Sequence, residues 1–411
     1  MTSLVKSRIN NPMESIDRFF VETSSERSSR VKQLPSDISP KHNLLIVGCG
    51  LIGREHMRVA TLLGRARIHG IYDINKASLD TAESTFRTYS DEKLVRYKNL
   101  QLACMDDAID AILICTPNFT HFQVLKVVLE SGKPLFVEKP MATTLEDGAR
   151  IVEISRGYSS PIQIGMQYRY KAQYVDAFHE VKQLNSLGGV KTISMAEYRP
   201  PFLDKVEQWN KFKEFSGGTL VEKCCHYFDL INLMAEAKPT HVYANGGQAV
   251  NFLDFEYAGR KSDIDDNAFV TIQYGNGVRA NFILNMFANE LYEELIVTGE
   301  KGRLVASEHA SFDREKSSKA EIMVEVPDHQ RYTPQDITYP ELVERSGHHG
   351  ATYFEHEALI DQLEGKRVDS ATVEQGFRAM LVASAAQQSI ECGEVIDIEE
   401  YTNKQGLTDL C

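Results

Sequence analysis

A chain of 411 residues exceeds the length that one hydrophobic core usually supports, so two domains are expected. Its composition, 42% apolar and 25% charged, is that of an ordinary globular protein and excludes collagen-like and disordered classes. A formal net charge of -13 argues against a nucleic-acid partner, which needs a basic surface, and no apolar run approaches a membrane-spanning length. Seven cysteines, including the adjacent Cys224 and Cys225, show no CxxC or Cys/His ligand spacing; they read as reduced thiols of a cytoplasmic protein without a metal site.

Residues 1–40 mix Ser, Arg, Lys and Glu around short apolar pieces and end in Pro35, Ser36 and Pro40, the pattern of an N-terminal extension. The scattered acids Glu14, Asp17, Glu22 and Glu26 do not suit a transit peptide, which leaves an arm packing on a partner subunit or on the next domain. From His42 short continuous apolar runs alternate with helix-length segments. The runs are Asn43 to Val47, Ile68 to Tyr72, Ala111 to Cys115 and Leu135 to Val137. This is the signature of a parallel sheet covered on both faces, and residues 41–162 are expected to form an α/β, doubly wound Rossmann domain. Residues 163–411 change rhythm to longer alternating strands. Asn267 to Tyr274 and Val278 to Met286 flank a Gly-Asn-Gly turn, and Glu294 to Thr298 and Leu304 to Ser307 flank Gly299 to Gly302. With helical segments at Tyr353 to Glu364 and Val373 to Glu391, they predict an α+β domain with a large open, mostly antiparallel sheet.

Gly48-Cys49-Gly50-Leu51-Ile52-Gly53 follows the first strand and opens a helix, the context that gives GxGxxG its meaning. Gly48 permits the turn, Gly50 lets backbone approach a pyrophosphate, Gly53 allows helix–strand packing, and Leu51 and Ile52 lie at the helix N-terminus that faces the phosphates. Asp73 lies 20 residues beyond Gly53 (73 minus 53), where a carboxylate accepts ribose hydroxyls and repels a 2′-phosphate. No arginine follows it, so NAD is expected rather than NADP. Two later strands end in Thr116-Pro117-Asn118-Phe119-Thr120-His121 and Val137-Glu138-Lys139-Pro140, and both should border the nicotinamide crevice.

In this order the motifs closely resemble the Gfo/Idh/MocA family of sugar and cyclitol oxidoreductases, over residues 43 to about 395. The resemblance implies that Lys139 is catalytic and that Thr116, Asn118, His121 and Glu138 line the nicotinamide ribose and its approach. Gln167 and Arg169, in Gly165 to Tyr170, would face the cofactor or substrate. The family's second motif, roughly Gly-Gly-x-Leu-x-Asp-x-Gly-x-His-x-x-Asp, is matched by Gly217 to Asp229. His226 and Asp229 fit it, whereas Glu222 replaces the aspartate and Cys224 the second-half glycine. Glu222, His226 and Asp229 are expected to share a helix face that offers an acid, an imidazole and a partner for its ring. Arg199, Lys205 and Trp209 precede the motif and are candidate substrate contacts, alongside Glu222, His226 and His349; a loop packing on its own domain explains the first three equally well.

The activity implied is hydride transfer between NAD and a ring carbinol of a sugar, cyclitol or sugar derivative. An NAD-dependent glycoside hydrolase working through transient oxidation, and a non-enzymatic NAD sensor, are the alternatives. The resemblance also implies a homo-oligomer, dimer or tetramer, built through the open sheet.

Overall fold

A computed structural model of the chain describes residues 20–32, 39–311, 318–327 and 329–407. Six parallel strands form the first sheet: β1 (His42–Val47), β2 (Ala66–Tyr72), β3 (Val95–Arg96), β4 (Ala111–Ile114), β5 (Leu135–Glu138) and β6 (Ile162–Gly165). Their spatial order is β3-β2-β1-β4-β5-β6. The order reverses between β1 and β4, and the carboxyl ends of these strands bound the crevice that such a switch point creates. β4 and β5 are buried at every position, which is why they read as unbroken apolar runs rather than alternating ones. The two-residue β3 has too little apolar pattern to be legible in the sequence.

The second sheet has nine strands: β7 (Val190–Tyr198), β8 (Pro239–Gly247), β11 (Asn267–Tyr274), β12 (Arg279–Asn285), β13 (Leu291–Gly299), β14 (Arg303–Ala310), β15 (Lys319–Val326), β16 (His329–Asp336) and β17 (Ile396–Asp397). A separate hairpin, β9 (Glu256–Tyr257) and β10 (Arg260–Lys261), lies in the loop before β11. Only β7 and β12 pair in parallel; the other pairings are antiparallel. Alternation of buried with exposed residues along β11, and of buried with half-buried residues along β13, puts one face against the core that includes the helices Cys225–Ala235 and Val373–Cys392. In the turn after β11 only Gly277 takes positive φ, at +87°; Asn276 instead accepts the Val278 N–H with its side-chain oxygen.

The C-terminal segments return to the first sheet. The helix Ala351–Leu363 packs on the helix Leu51–Leu63, and Phe354, 1% exposed, joins the core formed by β1 and β2. Among the described residues no helix is long and apolar enough to cross a membrane.

Of the expected 1–40 extension, residues 1–19 and 33–38 lie outside the described residues. The part between them is not peripheral. Phe20 is 1% exposed and stacks on Phe178 at 4.1 Å between ring centroids. Ser24 donates through its N–H and Oγ to the Asp176 carboxylate at 2.6 and 2.8 Å, and Arg30 pairs with Glu357. The arm thus clamps two helices of its own chain. Phe20→Ala should therefore destabilise the fold by about 3 kcal/mol, in the range of buried Phe truncations. Denaturant unfolding checks this, and an unchanged midpoint would show the arm to be an appendage.

Candidate active site

After β1 the chain turns at Gly48, whose φ is +98°; a Cβ there would lie 2.6 Å from the backbone of Cys115 and Thr116. At Gly53 a Cβ would come within 2.0 Å of the Gly48 carbonyl. Gly50 differs, because a Cβ there would meet nothing within 4 Å. It presents bare backbone to open space and is the N-cap of the helix Leu51–Leu63, with no side chain capping the free N–H groups. Leu51, 52% exposed, and the half-buried Ile52 form that helix start. Asp73, just past β2, accepts the Cys49 N–H at 2.7 Å through one oxygen and the Asn75 N–H at 2.8 Å through the other. Each oxygen keeps a lone pair for a ribose hydroxyl. The cradle fits a dinucleotide: an anion-binding helix end without a cap and an anchored carboxylate beside it.

Across the crevice, Asn118 and Gln167 are 7% and 2% exposed, and Asn118 Nδ2 and Gln167 Oε1 have no partner among the described residues. Buried polar atoms of this kind are normally satisfied, here by a ligand or solvent. Thr116 is half-buried, its hydroxyl accepting from Thr120 at 2.8 Å. His121 behaves otherwise than its motif suggested. It is fully buried, and its two ring nitrogens lie 2.8 and 2.9 Å from the carbonyls of Pro140 and Thr116. Burial lowers its pKa, so a neutral ring donates to one of the two while both nitrogens are enclosed between the strand ends.

Glu138 ends β5 inside the protein. One carboxylate oxygen accepts the Lys139 N–H at 3.0 Å and the other meets His56 Nε2 at 2.7 Å. His56 Nδ1 in turn meets His356 Nε2 at 2.7 Å, while His356 Nδ1 is buried without a partner. One direction of donation satisfies this row with neutral rings: His356 donates to His56, which donates to the carboxylate. Burial raises the Glu138 pKa, but His56 and Lys139 outweigh it and hold the group ionised below the usual value. Burial and the neighbouring His56 ring keep His356 neutral. The nearby Glu355, buried with both oxygens unpartnered, is pushed well up and stays protonated.

The segment Gly217 to Asp229 is not one helix. Thr219–Glu222 and Cys225–Ala235 are separated at Lys223 and Cys224, where the Cys224 N–H reaches back to the Thr219 carbonyl at 3.4 Å. The break leaves the Glu222 carbonyl outside a helical ladder, and Lys139 Nζ donates to it at 3.0 Å. The expected single face of Glu222, His226 and Asp229 is therefore corrected. Asp229 belongs to Arg169, which grips it with two bonds of 2.6 Å, both residues buried. Arg169 accordingly ties the turn after β6 to the second helix. His226, 2% exposed, is oriented by stacking on Tyr168, 4.1 Å between centroids and 5° from parallel, and its Nδ1 has no partner. Burial first, then Lys139, Lys223, His348 and Lys171, hold its pKa well below the usual 6.5, so the ring is neutral. Burial raises the Glu222 pKa, but Lys139, Lys205, Lys223 and Arg199 bring it below the ordinary value.

The softer candidates divide. Arg199 donates to the Pro200 carbonyl at 3.0 Å, lies 3.5 Å from Glu197 and covers the Phe202 ring, so it is engaged by its own loop. His349 Nδ1 lies 3.4 Å from Glu308. Trp209 meets Phe119 edge-on at 6.4 Å, joining this loop to the end of β4. Sequence reasoning missed a buried ionic layer behind His226. Lys171 pairs with Glu293 and Glu308 at 2.8 and 2.6 Å, and Lys223 with Glu197 at 3.2 Å and with the Tyr168 hydroxyl. Nothing in the local sequence around Lys171 and Lys223, where polar and apolar residues mix, signals this layer. His56, three residues after the last glycine of the fingerprint, was visible and unused.

Comparison with known proteins agrees with this geometry. Residues 42–166 match the oxidoreductase family's NAD-binding Rossmann fold, and residues 181–398 match its C-terminal alpha/beta domain. The chain belongs to the Gfo/Idh/MocA family and is an NAD-binding oxidoreductase. It is 26% identical over 367 residues to the uncharacterized oxidoreductase YrbE of Bacillus subtilis, covering 87% of this chain and 97% of that one. It is 24% identical over 359 residues to the myo-inositol 2-dehydrogenase of Thermotoga maritima, covering 86% and 98%. Levoglucosan dehydrogenase, solved in complex with NADH, has the same fold, with a TM-score of 0.71 at 16% identity, covering 87% of this chain and 99% of that one.

Two outcomes are expected. Asp73→Ala should weaken NAD binding and narrow the gap to NADP, read by titration of each nucleotide; equal affinities in the native protein would remove the role of Asp73. Burial works against ionisation of Glu55, but His348, 2.7 Å away, and Thr352 hold it at about 2. A carboxyl depressed in the fold contributes stability above its unfolded pKa of 4.5, lost as pH falls from 4.5 towards 2. Stability should thus fall more steeply over that window in the native chain than in Glu55→Gln, measured by denaturant titration at successive pH values.

Proposed function

We propose that the chain oxidises a ring carbinol of a sugar or cyclitol to the ketone, or runs the reverse, with NAD as hydride partner. The carrying observation is that Lys139 Nζ and the unpartnered, neutral His226 come together at the broken helix of Glu222, beside the dinucleotide cradle. The relationship to a protein named myo-inositol 2-dehydrogenase supports a ring alcohol. The glycoside-cleaving alternative gains no support from these relatives, whose names are those of oxidoreductases and dehydrogenases. A contact between copies through the exposed face of the second sheet, where Phe269 and Tyr243 are 59% and 42% exposed, is part of the same proposal.

NAD supplies an acceptor for the hydride when bound. The protein must then remove the hydroxyl proton from the carbon that loses hydride. Lys139 polarises the oxygen through its ammonium, fixed by the Glu222 carbonyl. His226 accepts the proton; its ring is already deprotonated at neutral pH and stacking has set its plane, so no reorientation is needed. Glu222, kept ionised by surrounding lysines, offsets the positive charge that His226 acquires.

Lys139→Ala and His226→Ala should bind NAD almost normally and lose roughly 10²- to 10⁴-fold in hydride transfer, the usual span for acid–base residues. Lys139→Arg should not recover activity, because guanidinium cannot reproduce a compact ammonium at this site. Single-turnover nicotinamide absorbance with a panel of sugars and cyclitols reads all three. Near-normal transfer in His226→Ala would demote the histidine to a positioning residue.

A further inference from the structure

The cations around the candidate site fall into two groups. Behind the crevice each buried cation has a carboxylate: Lys171 has Glu293 and Glu308, Lys223 has Glu197, and Arg169 has Asp229. Lys139 and Lys205 do not. Among the described residues Lys139 Nζ bonds only a backbone carbonyl, and Lys205 has no hydrogen bond or ion pair from its ammonium, which lies 6.0 Å from the Trp209 ring. Lys205 is nevertheless half-buried, on a loop held in place by Trp209 against Phe119, by Asn210 to the Leu203 carbonyl and by Lys211 to the Phe202 carbonyl.

The carboxylates near it are accounted for. Glu138 is taken by His56 and the Lys139 N–H, and Glu55 by His348 and Thr352. Of these three, the Glu222 carboxylate alone has no hydrogen-bond partner among the described residues, and Lys139 and Lys205 both act on it electrostatically. Oxidised nicotinamide would add a further positive charge when bound. Burial lowers the Lys205 pKa, consistent with an ammonium short of anionic company. A half-desolvated cation without a direct ion pair is costly, and an anionic ligand lowers that cost.

We propose that Lys205 is a specificity-determining residue that binds the carboxylate of an acidic sugar, so that the substrate is a uronate-type monoanion rather than a neutral sugar or cyclitol. A single lysine with Glu222 close by suits one negative charge and disfavours a phosphate dianion. The inference rests on the NAD-linked oxidation proposed above.

The test uses the full chain with NAD and matched pairs: glucuronate with glucose, galacturonate with galactose, and glucose 6-phosphate as the dianionic arm. In the native enzyme kcat/KM for the acid should exceed that for the neutral partner by roughly ten- to hundredfold, the span of one charge-assisted hydrogen bond. Lys205→Gln should erase the ratio and Lys205→Arg should keep most of it, with NAD affinity unchanged in both. Equal native values, a ratio that survives in Lys205→Gln, or a preference for the phosphate would each overturn the proposal. Calorimetric binding of the same sugars to the NAD complex separates it from the oxidation reading. Lys205-dependent uronate binding without turnover would sink the oxidation reading alone, and absence of such binding would sink the acidic-substrate inference.

Discussion

The bond from Lys139 to the Glu222 carbonyl joins the two halves of the molecule at the point where chemistry is proposed. Its donor stands at the end of a strand in the parallel sheet, and its acceptor is a carbonyl released by a helix that stops one turn early. A continuous helix through residues 219–235 would have used that carbonyl internally. The irregularity at Lys223 and Cys224 is thus what allows a lysine from the first sheet to be held by a helix of the second half. His226, in the first turn of the next helix, arrives at the same place because the chain restarts there.

Around this bond the protein separates charges by layer. The deep layer under the second sheet is neutralised pair by pair, with Lys171, Lys223 and Arg169 each facing carboxylates. Such buried pairs add little net stability, since desolvation offsets their attraction, but they hold their partners in single positions. Tyr168 is fixed between them and presents a flat ring to His226. Burial first, and then the nearby cations, keep the imidazole unprotonated without any direct hydrogen bond to it. Its orientation comes from stacking rather than from a carboxylate.

Much of this was legible in the sequence. Continuous apolar runs marked β1, β2, β4 and β5 because full burial of a parallel sheet leaves no polar alternation, and the fingerprint after β1 located the cradle through glycines that steric contact requires. Alternation likewise marked β11 to β14. Partner choice was not legible. Asp229 and His226 are three apart in sequence, yet Asp229 is claimed by Arg169 from another element, a contact that local spacing does not reveal. The same holds for His121, whose motif position suggested the cofactor while its nitrogens serve two carbonyls. The helix break was hidden because Lys223 and Cys224 are not strong helix breakers, and the partners of Lys223, Tyr168 and Glu197, come from distant parts of the chain.

The row from Glu138 through His56 to His356 carries a consequence for modularity. Its last member comes from the helix Ala351–Leu363, more than two hundred residues downstream of β5. The nucleotide half is therefore not a self-contained cassette. A shortened chain ending after β6 would lose both the hydrophobic cover of Phe354 and the ring that fixes the tautomer of His56. Any chimera that exchanges the cofactor half with a relative must carry this distant helix along with the first sheet.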